Sequence, residues 1–176
     1  IIFVLMLCCG CSSNQVKRQV NILNWSSYIP SEVILDFEKE TGIEVNYGTY
    51  SSNEELLAKV SVAKNGTYDL IFPSDYMVEI MINRKIKKKM DMSKLRNVDN
   101  LNKNFLGNKY DLYNEYTLPF LAASTVVSVN RDVISDEIDS YNDLLDSKYK
   151  NEIVLIDDQR IIIGMALLAN GYDMNS

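Results

Sequence analysis

The chain has 176 residues, 47% of them hydrophobic, and 24 acidic against 18 basic side chains give a net charge of −6. That balance argues against a nucleic-acid partner and suits cationic ligands. There is no histidine, which removes the commonest general base, the commonest transition-metal ligand and every Ser-His or Cys-His pair.

Residues 1–7 are apolar and run into Cys8-Cys9-Gly10-Cys11. An apolar run closed by a small residue and then cysteine reads as a lipoprotein signal over residues 1–11, with Cys11 as the acylated start of the mature chain. The run is too short to span a bilayer and is set aside from the fold. The competing reading, a buried N-terminal strand, leaves cysteines crowded together with no disulfide geometry to serve. Beyond Cys11 there is no cysteine, so the folded part uses neither disulfides nor thiol chemistry. Residues 12–19 are polar and read as a tether.

Residues 20–25 alternate apolar and polar and predict a strand. Pro30-Ser31-Glu32 opens a helix with Val33, Ile34 and Phe37 on one face and Gly42 as its stop. Residues 44–49 alternate again. Ser52 with Glu55 forms a capping box for a helix carrying Leu56, Val60 and Ala63, ended by Asn65-Gly66. Residues 69–72 predict a short strand, and Pro73-Ser74 leads into a helix over 76–83. This β-α-β-α-β-α order implies a parallel sheet with right-handed crossovers.

Residues 84–108 are basic, then Asn-rich, and read as a solvated connection, because no aromatic residue precedes Phe105. Strands are predicted at 116–120, 124–130 and 152–156. Ser140 with Asp143 signals a further helix start, and residues 160–170 an apolar helix. The order divides the chain into a first α/β lobe over 20–122, then a hinge strand and the opening of a second lobe over 123–176.

Ligands of open α/β sheets bind beyond the carboxyl ends of strands. Three such ends share a chemistry. One carries Trp25-Ser26-Ser27-Tyr28, one Ser74-Asp75-Tyr76, and one Asp157-Asp158. Together they offer aromatic faces for methylenes and carboxylates for ammonium groups. Each has a plainer reading beside it: Trp25 as core, Ser74-Asp75 and Asp157-Asp158 as helix caps.

Asn24-Trp25-Ser26-Ser27-Tyr28-Ile29-Pro30, Phe37-Glu38-Lys39-Glu40-Thr41-Gly42-Ile43, Tyr68-Asp69-Leu70, Pro73-Ser74 and Ser93-Lys94-Leu95 resemble bacterial spermidine/putrescine-binding proteins from about Val20 onward. The resemblance implies a type II periplasmic-binding-protein fold, two α/β lobes joined by hinge strands and closing on a polyamine. This chain would supply most of the first lobe and the start of the second, with further site residues expected downstream. Carried over by position, Trp25 and Tyr28 join an aromatic box, Ser26 and Ser27 lie beside it, Ser74 and Tyr76 contact the ligand, and Asp158 meets an ammonium group. Family members usually carry an acid where Ser27 stands and a glutamate where Ile161 stands, and Asp75 occupies a position that is neutral in the spermidine receptor.

The expected function is therefore capture, not catalysis. A monomeric lipoprotein of the periplasm or cell envelope, anchored to the membrane at Cys11, would bind putrescine or spermidine and deliver it to an ABC permease, with no cofactor or metal. The alternatives are a receptor of the same fold for another small solute, or a surface lipoprotein binding a host or cell-wall protein.

Overall fold

The computed structural model describes residues 18–86 and 88–174. The chain divides into two compact units, Ile1–Pro119 and Phe120–Ser176.

The first unit is built on a three-stranded parallel sheet of order β2-β1-β3, formed by β1 (Gln19–Trp25), β2 (Glu44–Tyr50) and β3 (Leu70–Ile71). The register sets Leu23 beside Gly48 and Trp25 beside Tyr50. A side chain cannot be added freely at Gly48, because its Cβ would lie 3.3 Å from Leu23 Cδ1. The glycine makes room for a leucine at the centre of the core.

Helix α1 (Ser31–Thr41) joins β1 to β2 and stops at Gly42, whose φ of 66° suits a left-handed C-cap. Helix α2 (Asn53–Val62) joins β2 to β3, and α3 (Asp75–Asn83) follows β3. Leu56 of α2, Leu23 and Tyr50 form the buried cluster, with Trp25, Val60, Tyr68 and Ile71 packed around it. Full burial of a side chain such as Leu56 contributes about 1.5–3 kcal/mol. Met77, Val78 and Met81 bury one face of α3.

The expected capping box is displaced by one residue. Ser52 Oγ accepts from the Glu55 N–H at 3.2 Å, but the Glu55 carboxylate returns to the N–H and hydroxyl of Ser51, both at 2.8 Å, and not to Ser52.

The strand expected at 116–120 is not formed. Its amides are claimed locally: the N–H groups of Glu115, Tyr116 and Thr117 all donate to the buried carboxylate of Asp111 at 2.9 Å. A backbone that has given its donors to a side chain has none left for a ladder.

In the second unit the expected strands at 124–130 and 152–156 are not formed, with Val126 74% and Val154 96% exposed. Alternation reports which faces a segment presents, and a strand also needs a neighbour. Ser140 and Asp143 do exchange the bonds of a capping box, Asp143 Oδ2 accepting from Ser140 N–H at 2.8 Å. The helix they open nevertheless lasts one 3₁₀ turn, Asp143–Leu145. The apolar helix α4 (Gln159–Ala169) forms as expected.

Candidate functional site

The carboxyl end of β1 presents the first group. Trp25 closes the strand half-buried, and the exposed turn of Ser26 and Ser27 follows. Ser27 has φ 62°, a left-handed conformation that costs a non-glycine residue about 1–2 kcal/mol. The reversal brings Tyr28 back over the tryptophan. The two rings stack with centroids 6.1 Å apart and planes 29° from parallel, and Tyr28 stays 43% exposed. Behind them Tyr50 tilts at 52° against Trp25 with centroids 4.7 Å apart. These are favourable aromatic geometries, and they leave a flat, partly open aromatic wall.

The loop after β3 presents the second group. Ser74 occupies the N-cap position of α3 without a side-chain cap bond. It pairs instead with the buried Asn53, whose Oδ1 accepts from Ser74 N–H at 3.1 Å and whose Nδ2 donates to Ser74 Oγ at 3.0 Å. Asp75 is exposed, and its Oδ1 accepts from the Tyr76 N–H at 2.7 Å. The Tyr76 hydroxyl donates to Glu54 Oε1 at 3.4 Å.

Electrostatics tie these groups together. Burial pushes the Tyr50 phenol well above its usual range, and Tyr28, Tyr47 and Tyr76 raise it further. Tyr110 is raised by burial and then by the negative charges of Asp75 and Asp111. Sequence reasoning missed Tyr50, Asn53, Glu54 and Tyr110. Only Tyr50 had a legible signal, since aligning the two predicted strands sets it next to Trp25.

The third group lies in the second unit. Asp157 is exposed and Asp158 half-buried. Asp158 Oδ1 accepts from the N–H groups of Arg160 at 2.9 Å and Ile161 at 3.0 Å, capping α4. The cap uses this one oxygen for both bonds. Ile161 lines a concavity of about 300 Å³ with Ser124, Thr125, Tyr141, Met165 and Leu168. Cys11 lies outside the described residues.

A concavity of about 380 Å³ lined by Asn21, Tyr47, Gly48 and Tyr68 contains none of the predicted site residues and sits part-way along the strands, away from their carboxyl ends. Among the described residues no cluster of three or more His, Cys, Asp or Glu could hold a metal ion.

A family model described as bacterial extracellular solute-binding protein matches residues 32–176. The chain belongs to this family. Its mixed α/β architecture on a parallel sheet is that of the periplasmic-binding-protein fold. The spermidine/putrescine-binding periplasmic protein of Salmonella typhimurium is 42% identical over 154 residues, covering 87% of this chain and 44% of the relative. The putrescine/cadaverine-binding protein of Pseudomonas aeruginosa is 28% identical over 182 residues, 99% of this chain and 51% of the relative. The TpPotD lipoprotein of Treponema pallidum superposes with a TM-score of 0.82 at 30% identity, over 90% of this chain and 50% of that one. The substrate-binding protein PotD of Streptococcus pneumoniae superposes at 0.68, also at 30% identity, over 90% of this chain and 49% of that one. The chain thus spans about half the length of the solute-binding proteins it matches.

Proposed function

We propose that the protein is the solute receptor of a polyamine ABC importer. The observation that carries this reading is the stacked Trp25–Tyr28 wall at the carboxyl end of β1, next to the Ser74-Asp75-Tyr76 loop. A protonated polyamine is an alkyl chain with ammonium groups, and it needs flat apolar faces for the methylenes and carboxylates for the charges. Trp25 and Tyr28 take the methylenes and one ammonium by cation–π contact. The hydroxyls of Ser26, Ser27, Ser74 and Tyr76 accept from the ligand's N–H groups. Asp75 supplies a carboxylate in the first lobe and Asp158 one in the second.

The names of the relatives support the same ligand class, and the description of one solved relative as a lipoprotein supports an anchor at Cys11. In this reading the protein is a monomer held at the envelope by its lipid, and it passes the bound polyamine to a membrane permease. The lobes run over 20–122 and 123–176.

Isothermal titration of the full-length receptor with putrescine, spermidine, cadaverine and neutral solutes tests it. Saturable heat with at least one polyamine, absent for a neutral diol of the same length, is expected. Saturable binding of a neutral solute and none of any polyamine overturns the reading.

A further inference from the structure

Tyr50 is a buried titratable group that the proposed contacts leave unused. It closes β2 directly beside Trp25 in the sheet register and is 2% exposed, so it does not reach a ligand. Its ring lies against Trp25, and its hydroxyl donates to the Phe72 carbonyl just beyond β3. Phe72 is itself tied to β1, its N–H donating to Leu23 O at 3.2 Å. One side chain therefore belongs to the end of β2, braces the end of β1 and is fixed to the end of β3.

We propose that Tyr50 is the positioning residue of the aromatic wall, its hydroxyl bond to Phe72 fixing the plane in which Trp25 is presented to an alkyl-ammonium ligand. The consequence for binding rests on the polyamine reading above; the effect on Trp25 does not. A tryptophan at a strand end can rotate about two side-chain bonds, and its usefulness as a platform depends on which face it offers. Tyr28 covers Trp25 from an exposed turn and cannot hold it alone. Tyr50 is buried, and a buried phenol keeps its hydroxyl paired. Burial also keeps the phenol protonated well beyond neutral pH, so the donor bond is present whenever the receptor works. Ring and hydroxyl act in series: the bond fixes the ring, and the ring fixes Trp25.

Trp25 is the only tryptophan in these 176 residues, and subtracting the near-ultraviolet circular dichroism and tryptophan fluorescence of a Trp25→Phe variant of the same receptor isolates the signal of this one ring. The test uses the full-length receptor with Tyr50→Phe, which keeps the ring and removes the bond, and Tyr50→Leu, which removes both. Tyr50→Phe is expected to weaken the tryptophan dichroism and lower the anisotropy in the ligand-free protein. It should also weaken polyamine binding about 3–10-fold, and Tyr50→Leu at least 10-fold. A folded Tyr50→Phe variant with the wild-type Trp25 spectrum and affinity overturns the proposal and leaves Tyr50 as ordinary core. Loosened Trp25 in a receptor that binds no polyamine at all overturns the polyamine reading and supports the positioning role.

Discussion

Asn53 and Ser74, 21 residues apart, exchange two hydrogen bonds through the two ends of one buried amide. Because a backbone N–H can only donate, the Asn53 Oδ1 must face Ser74 N, and its Nδ2 must face Ser74 Oγ. Ser74 Oγ is thus an acceptor toward the protein, and its own proton points elsewhere. Asn53→Ala should destabilise the receptor by about 1–3 kcal/mol, since it strands two half-buried polar groups. Asn53→Asp, which keeps the acceptor and loses the donor, should fall between it and wild type. Urea titration of the two variants checks this. A loss below about 0.5 kcal/mol for Asn53→Ala would mean that water replaces the pair without cost.

This pairing also marks where sequence reasoning stops. The β1-α1-β2-α2-β3-α3 order was legible because each element is written locally: alternation in β1 and β2, Gly42 after α1, Ser52 before α2. Asn53 looked like any first-turn helix residue, and nothing local links it to Ser74. The same limit explains the strands that did not form. Residues 116–120 carry a strand pattern, but the competing acceptor is Asp111, a side chain outside the pattern. At the candidate site, Trp25, Tyr28, Ser74 and Tyr76 could be named from strand ends. Tyr50, whose ring lies against Trp25, required the register.

The anchor is tested outside the described residues. Metabolic labelling with a fatty acid should mark the wild-type protein, and Cys11→Ala should lose the label and release the protein from membranes. Label retained by Cys11→Ala but lost on changing Cys8 or Cys9 would move the anchor.

Asp158 carries two jobs in the proposed reading, and they separate cleanly. Asparagine caps a helix about as well as aspartate, so Asp158→Asn should keep the bonds to Arg160 and Ile161 and leave the melting temperature nearly unchanged. Polyamine affinity should still fall by about 2–5 kcal/mol, because an ammonium group loses its charged partner. Titration and thermal melting of the same sample decide the matter. Unchanged affinity would leave Asp158 a cap and nothing more.

Glu55 sets a pH dependence. Hydrogen bonds from Lys59, then from the N–H and hydroxyl of Ser51, lower its carboxyl from 4.5 to about 2. A carboxylate depressed in the folded state stabilises fully above its unfolded value and loses that contribution as pH falls through its folded value. The Glu55 contribution should therefore fade between about pH 4.5 and pH 2, and Glu55→Gln should flatten the stability profile in that window. The side chain is exposed and the effect small, so the comparison needs denaturant midpoints at closely spaced pH. Parallel profiles for the two proteins would count against the assignment.

Ser27 offers a gain-of-function test. It sits in the turn between Trp25 and Tyr28 with φ 62°, a conformation that aspartate and asparagine tolerate better than most residues and β-branched residues hardly at all. Ser27→Val should destabilise the receptor by about 1–2 kcal/mol through backbone strain alone. Ser27→Asp should fold normally and place a carboxylate beside the aromatic wall. An exposed charge-assisted contact of that kind strengthens binding by about 0.5–1 kcal/mol, with the larger gain for the ligand of higher charge and a gain that shrinks as salt is raised. Titrations of spermidine and putrescine at two ionic strengths read all three effects. If Ser27→Asp folds but leaves both affinities unchanged, the ammonium groups do not lie next to this turn, and the polyamine would have to be oriented by Asp75 and Asp158 alone.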